Sequence, residues 1–144
     1  TKAGIKVGLY FFTQAVNEAE AVEEASMAMS RASGYKVAYP IFIDTESAAS
    51  GRANGLSKSA RTAVVKAFCQ TVRNGGYKAG VYASKSWYAN QLNASALNGY
   101  CIWVAQYNSS CTYSGKYDMW QYSSKGSVSG IKGNVDMNIS YTGY

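Results

Sequence analysis

One short segment, residues 40–46, constrains the fold of this chain more than any other. It reads Pro-Ile-Phe-Ile-Asp-Thr-Glu, and its apolar centre is typical of a strand buried on both faces, as in a parallel sheet covered by helices. Because side chains alternate along a strand, Asp44 and Glu46 are predicted to point the same way at its carboxyl end. In open α/β sheets and α/β barrels, functional sites are built at that end of the strands.

Two carboxyl groups so close together suggest acid–base chemistry. At a rise of about 3.3 Å per residue, the Cα atoms of Asp44 and Glu46 are expected to lie roughly 6.6 Å apart. Like charges at that separation raise the pKa of one of the two groups. A proton donor beside a carboxylate is what glycoside hydrolysis requires. The alternative is that both acids only cap the next loop, since Asp-x-Glu by itself is a weak signal; the position after an apolar run favours a functional pair.

The rest of the chain predicts strand–helix repeats that give way to strands alone. Asn17 and Ser57 are predicted N-caps of two helices, and a short helix should begin near Ser86. The predicted strands cover residues 5–12, 40–46, 78–83, 101–105, 118–122 and 135–139. The links after the fourth and fifth strands carry no helical pattern. Parallel crossovers are usually helical, so the first four strands are expected to be parallel and the last two antiparallel to their neighbours.

Helical spacing also predicts which face of each long helix is buried. The first stripe is predicted at Val22, Ala25, Met29 and Ala32, and the second at Ala60, Val64, Phe68 and Val72.

The composition of the chain excludes several kinds of catalytic and metal-binding site. The 144 residues predict one domain, and the absence of His excludes Ser-His-Asp and Cys-His catalysis and the usual zinc ligand sets. No metal or cofactor is therefore expected. The net charge of +6 favours an anionic partner such as a cell-wall polymer, and the scattering of basic residues argues against nucleic acid. No apolar run could span a membrane, and the first residues do not read as a signal peptide.

The three cysteines do not form a metal or disulfide framework. Cys69 is predicted to be a buried, small apolar residue on a helix, whereas Cys101 and Cys111 could pair across one loop in an oxidising compartment.

Several aromatic and acidic residues lie near predicted strand ends, where sugar rings could stack on them. Tyr10 and Tyr82 could equally be core or site residues, and Trp103 reads more readily as core. Trp120 is predicted to stack on sugar, within the sequence Met-Trp-Gln-Tyr of residues 119–122. Asp136 is a charge inside a strand that otherwise reads as buried, and is either functional or an edge charge facing water.

Six segments in order resemble glycoside hydrolase family 25, the lysozyme (N-acetylmuramidase) family of bacteria and phages. They are residues 8–12 (Gly-Leu-Tyr-Phe-Phe), 42–46 (Phe-Ile-Asp-Thr-Glu), 80–84 (Gly-Val-Tyr-Ala-Ser) with Trp87, 102–107 (Ile-Trp-Val-Ala-Gln-Tyr), 119–122, and 133–138 (Gly-Asn-Val-Asp-Met-Asn). The resemblance implies a modified TIM-like barrel of the α/β class, with five strand–helix units followed by three strands without helices.

The same resemblance implies a function and roles. The expected reaction is cleavage of the β-1,4 bond between N-acetylmuramic acid and N-acetylglucosamine in peptidoglycan, with retention and with the substrate's acetamido group as nucleophile. Glu46 matches the family's general acid/base, Asp44 its acidic partner and Asp136 its acid on the last strand. Tyr10, Tyr82, Trp103 and Trp120 are the expected substrate-binding residues. The expected partner is the glycan strand of peptidoglycan, at a secreted or cell-wall location.

The family also has two strands ahead of the first motif, the first carrying an Asp in an Asp-x-Ser motif, and neither is found in residues 1–144. We therefore expect an N-terminally truncated family 25-like domain and an incomplete barrel, with open edges that favour self-association. Two functional hypotheses remain: a muramidase, and a cell-wall sugar-binding module without turnover. A nucleic-acid binder is disfavoured by the scattered charge.

Overall fold

A computed structural model describes residues 2–144, which build one six-stranded sheet whose strands lie in chain order. The strands are β1 (Val7–Phe12), β2 (Val37–Asp44), β3 (Ala79–Ser84), β4 (Cys101–Ala105), β5 (Met119–Gly126) and β6 (Val135–Ser140). The helices are α1 (Glu18–Ala32), α2 (Lys58–Asn74) and α3 (Lys85–Asn90), followed by a single 3₁₀ turn (Ala94–Leu97). The sheet curls like half a barrel, which confirms the predicted α/β class and agrees with an incomplete barrel.

Both long helices begin at the predicted caps. The Asn17 side chain accepts from the Glu20 backbone N–H at 2.9 Å, and the Ser57 hydroxyl accepts from the Ala60 N–H at 3.1 Å. The Glu20 carboxylate in turn accepts from the Val16 N–H at 3.0 Å, one residue further back than in the usual capping box. These bonds satisfy helical N–H groups that have no partner within the helix, and each such cap is worth about 1 kcal/mol.

The buried face of α1 differs from the predicted stripe. Its fully buried positions are alanines, at Ala21, Ala25, Ala28 and Ala32. Val22 is instead 42% exposed, so its predicted burial was wrong. Ala25 and Ala32 are buried as predicted and Met29 is half-buried, while Ala21 and Ala28 complete a face of small residues that allows α1 to pack closely against α2. The predicted stripe of α2 is confirmed at Val64, Phe68 and Val72, and Ala60 is half-buried.

The relative direction of β4 and β5 differs from the sequence-based prediction. The pairs β1–β2, β2–β3 and β3–β4 are parallel as predicted, but β4 and β5 are parallel as well, and only β5 and β6 are antiparallel. The segment 106–118 makes this crossover without a helix. Its side chains Cys111, Tyr113 and Tyr117 pack against the core cluster, and the ring of Tyr113 lies 5.3 Å from that of Tyr88. Aromatic packing thus covers the sheet where a helix would otherwise lie.

The two faces of the sheet have different roles. Strand side chains of the helix-covered face form the core with α1 and α2; they include Ile41, Ile43, Val81, Ala83, Ile102 and Val104. The opposite, concave face carries the alternate residues of each strand and holds the pockets described below.

The cysteines are all free. Cys69 is fully buried as predicted, and its thiol approaches the Gly80 carbonyl at 3.6 Å. Cys101 and Cys111 are not bonded to each other. Cys101 lies at the start of β4, with its sulfur 3.0 Å from the Tyr144 hydroxyl. Among the helices of residues 2–144, none has the length and apolar character needed to cross a membrane.

Candidate active site

A pocket of about 210 Å³ opens on the concave face at the carboxyl ends of the central strands. It is lined by Tyr10, Asp44, Glu46, Tyr82, Trp103, Tyr107, Gln121 and Asp136. The structure therefore brings together six of the seven residues that the sequence suggested, from strands as far apart as β1 and β6.

Asp44 is the most buried acid in the pocket. It ends β2, opposite Phe12 on one side and Tyr82 on the other, and its side chain has only 6% of its surface exposed. Its Oδ1 atom is buried and has no hydrogen-bond partner among the described residues. Burial, with a smaller contribution from the nearby Glu46 carboxylate, raises the pKa of Asp44 to about 7.

Glu46 lies two residues beyond the end of β2, so alternation along the chain puts it on the same side as Asp44. Between them Thr45 is buried, and its N–H donates to the Tyr82 carbonyl at 3.1 Å, so the backbone remains extended past the assigned strand. This extension turns both carboxyl groups to the same pocket. Glu46 is more exposed than Asp44, and partial burial raises the pKa of its carboxyl above the ordinary value.

Aromatic rings packed edge to face form the floor of the pocket. The Trp103 ring packs edge-on against Phe42 at 5.1 Å and against Tyr82 at 4.7 Å between centroids. Its indole N–H donates to Asn138 Oδ1 at 3.0 Å. A side chain at Gly80 would overlap the Phe42 ring, so the glycine leaves room for this stack. Trp103 thus belongs to the concave face and not to the core beneath the helices.

Tyr10 and Asp136 reach the pocket from the two edge strands of the sheet. Tyr10 lies on β1 and is 66% exposed, and Asp136 lies on β6 and is exposed as well. These strands stand at opposite ends of the strand order, so only strong curling brings their side chains to one pocket. A second pocket of about 320 Å³ adjoins this one towards the amino ends of the strands and is mainly apolar, with Leu9, Phe42 and Met119 in its lining.

Trp120 is not brought to the pocket. It stands opposite Val104 in the β4–β5 register and therefore faces the helix-covered core, where only 7% of its surface is exposed. Its indole N–H donates to the Gln106 carbonyl at 2.8 Å. The expectation that Trp120 stacks on sugar is corrected accordingly, because a ring buried on the other face of the sheet cannot touch a ligand in this pocket.

Gln121 and Tyr107 are the pocket residues to which the sequence assigned no role. Gln121 follows Trp120, so alternation turns it to the concave face, where it is 3% exposed. Its Oε1 atom accepts from the Tyr82 hydroxyl at 2.7 Å and from the Tyr107 hydroxyl at 2.8 Å. Gln121 is a polar amide within an otherwise apolar strand, and this pattern could have indicated a functional residue.

Comparison with known proteins identifies the family of this chain. The model of the family described as glycosyl hydrolases family 25 matches residues 1–131. The chain belongs to glycosyl hydrolase family 25. Among curated proteins, an autolytic lysozyme of Clostridium acetobutylicum is 28% identical over 137 residues, which is 94% of this chain and 40% of that protein.

Solved family 25 structures share the fold. The CTP1L endolysin superposes with a TM-score of 0.79 at 30% identity, over 97% of this chain and 49% of the other. A family 25 glycosyl hydrolase from Bacillus anthracis gives a TM-score of 0.79 at 25% identity, over 99% of this chain and 67% of the other. This family 25 chain therefore spans less than half the length of the lysozyme and about half that of the endolysin.

Proposed function

We propose that this chain acts on peptidoglycan as a muramidase, hydrolysing the β-1,4 bond between N-acetylmuramic acid and N-acetylglucosamine. The observation that carries the proposal is the pair Asp44 and Glu46, whose carboxyl groups enter one pocket at the carboxyl end of β2 with raised pKa values. Membership of family 25 and likeness to an autolytic lysozyme support the same reaction class. Extracellular action at the cell wall follows from the substrate.

In the proposed mechanism Glu46 is the proton donor. Partial burial raises the pKa of its carboxyl, which favours the protonated form that an acid catalyst needs, and it is the more accessible acid, so it can reach the glycosidic oxygen. Proton transfer from Glu46 to that oxygen accompanies cleavage of the bond to the anomeric carbon. The Glu46 carboxylate then takes a proton from the water that completes hydrolysis.

Asp44 would orient the acetamido group of the muramic acid residue. Its carboxyl group lines the pocket and has an Oδ1 atom without a hydrogen-bond partner among the described residues, so it can accept from an amide N–H. Before substrate binds, burial holds the pKa of Asp44 at about 7. An N–H donor stabilises the ionised form of Asp44 and leaves the proton to Glu46. The acetamido carbonyl oxygen then attacks the anomeric carbon, and attack of water on the resulting ring from the opposite face gives net retention.

The remaining pocket residues would bind the glycan. Tyr10, Tyr82 and Trp103 offer aromatic surface and hydroxyl groups beside the acids. Asp136 approaches from β6, on the side of the pocket away from β2, and would accept from a sugar hydroxyl.

The test is product analysis of purified peptidoglycan after incubation with the purified protein. Borohydride reduction of the fragments distinguishes new N-acetylmuramic acid ends from new N-acetylglucosamine ends, and Glu46→Gln is the matched control. New muramic acid ends from the unaltered protein alone are expected. New glucosamine ends would contradict the proposed bond, and binding of glycan fragments without any new ends would favour the sugar-binding alternative.

A further inference from the structure

Gln121 occupies the centre of a hydrogen-bond arrangement that the proposed mechanism does not use. Its side chain reaches the concave face from β5, between β4 and β6, and is almost fully buried. One atom, Oε1, accepts from two phenols that arrive from different places, Tyr82 on β3 and Tyr107 after β4. Both bonds have the ordinary length of an O–H···O hydrogen bond, and all three side chains line the pocket with Asp44 and Glu46.

This arrangement fixes the direction of the phenol protons. A phenol hydroxyl carries a single proton, so a hydroxyl that donates to Gln121 presents only lone pairs to the rest of the pocket. Burial raises the pKa of the Tyr82 hydroxyl well above its ordinary value, so the proton stays on the oxygen. Tyr82 stands opposite Asp44 in the β2–β3 register and lines the same pocket as both carboxyl groups, while its hydroxyl bonds to Gln121 and to neither acid.

We propose that Gln121 is a positioning residue that holds the Tyr82 and Tyr107 hydroxyl protons away from Asp44 and Glu46. The two carboxyl groups then receive no hydrogen bond from either phenol before substrate binds, and they keep the proton that acid catalysis needs. The two phenol oxygens act as acceptors towards the pocket, so they select ligand groups that donate, such as sugar hydroxyls and amide N–H groups.

The charges around the pocket agree with this role. Its titratable groups are Tyr10, Asp44, Glu46, Tyr82, Tyr107 and Asp136. Within residues 2–144 no Lys or Arg side chain lines the pocket, so no cation competes with a phenol for stabilising the ionised carboxylates. A donated hydrogen bond from Tyr82 would therefore be the strongest new influence on the titration of Asp44.

The experiment follows the titration of Asp44 by carboxyl-carbon NMR in the purified chain. Gln121→Met keeps the volume of the side chain and removes the amide oxygen, with Gln121→Leu as a second variant should the first fail to fold. Released from Gln121, the Tyr82 side chain should move towards Asp44, donate to it and lower its apparent pKa by about one unit, a tenfold change in ionisation constant. Tyr82→Phe alone should leave this titration nearly unchanged, since its proton is already directed to Gln121.

The triple variant Tyr82→Phe, Tyr107→Phe and Gln121→Met decides between positioning and simple packing. If Gln121 acts through the two phenols, the triple variant should titrate like the unaltered protein; a packing role would leave the shift in place. An unchanged Asp44 titration in Gln121→Met, or a shift that survives loss of both hydroxyls, would overturn the inference. The catalytic consequence rests on the proposed function, but the titration needs no turnover, so the two can fail separately.

Discussion

Asp44 and Tyr82 stand opposite one another at the carboxyl ends of β2 and β3, with both side chains on the concave face of the sheet. The Thr45 N–H continues this pairing by donating to the Tyr82 carbonyl. The backbone beneath the proposed catalytic pair is therefore held on its β3 side by regular sheet hydrogen bonds. Such support keeps Glu46 in place although it lies beyond the assigned strand.

Glu46→Gln should abolish peptidoglycan hydrolysis, because the amide cannot give a proton to the leaving oxygen. Thermal stability should be equal or slightly higher, since a like-charge interaction with Asp44 is removed. Wall-suspension clearing and the melting temperature measure the two effects. Glu23→Gln, on the exposed face of α1, is the control that should retain activity. Near-normal clearing by the Glu46 variant would refute its role.

Asp44→Asn should change how stability depends on pH. In the unfolded chain this carboxyl loses its proton near pH 4, whereas the folded chain retains it until about pH 7. The folded state binds more protons across that window, so its stability falls as pH rises through the window. At pH 8 the variant should be more stable than the unaltered protein by roughly 2 kcal/mol, less than the full shift implies because water enters the open pocket.

At pH 3 the Asp44→Asn variant and the unaltered protein should have nearly equal stability. Urea unfolding at a series of pH values gives the comparison, with Asp136→Asn as the control that removes an exposed carboxyl from the same pocket. A constant stability difference at all pH values would show that burial of Asp44 does not govern its titration.

Trp120→Phe should affect stability and leave ligand binding alone. The change removes the indole hydrogen bond to the Gln106 carbonyl in the core and should cost about 1 to 2 kcal/mol. Trp103→Phe, which alters the pocket floor, should instead weaken binding of muropeptide oligomers several-fold. Calorimetric titration of both variants separates the two faces of the sheet. Weaker binding by the Trp120 variant alone would reverse the assignment.

Arg61→Met should destabilise the loop that follows Glu46. The buried Arg61 guanidinium donates to the carbonyls of Ala53, Asn54 and Leu56 at 3.0, 3.2 and 3.4 Å, and stacks 4.3 Å from the Trp87 ring centroid. Its removal leaves carbonyls unpaired, at a cost of about 3 kcal/mol. Arg73→Met is a matched control, since Arg73 also stacks on an aromatic ring but is exposed.

Hydrogen exchange of residues 47–57 should accelerate in the Arg61 variant and not in the Arg73 variant. Equal protection of the loop in both would show that Arg61 does not hold it.

The two edge strands should support self-association of the chain. In residues 2–144, β1 and β6 each pair with a strand on one side only, and Phe12 and Ile139 on them are 38% and 39% exposed. Unpaired edges with apolar side chains recruit further strands. Sedimentation velocity should show concentration-dependent association that Ile139→Lys reduces and Ile131→Lys, in a loop, does not. A monomer at every concentration would contradict this prediction.

The sequence predicted the strands well because their apolar runs are bounded by Gly, Ser and charged residues. β4 covers the predicted residues, and β2 starts three residues earlier and ends at Asp44. The parallel pairing of β4 and β5 could not be predicted, since Tyr113 and Tyr117 cover the sheet without helical periodicity.

The sequence pattern was also insufficient to show that Gln121, and not the predicted Trp120, lines the pocket. Alternation states that neighbours face opposite sides, but which neighbour faces the site depends on the register with β4. The prediction for Asp44 and Glu46 did not depend on the register, because residues two apart in a strand always lie on the same side of the sheet.

The agreement between strand order and chain order has a consequence for synthesis of the protein. Within residues 2–144, each of the strands β2 to β6 pairs with the strand that left the ribosome just before it, so no pairing among them waits for a more distant strand. Pairing with the preceding strand costs less loop-closure entropy than pairing with a strand farther along the chain would. The nascent sheet can therefore grow one strand at a time as translation proceeds, with each new strand docking on the edge formed before it. The antiparallel pair β5 and β6 then joins this sheet as a hairpin.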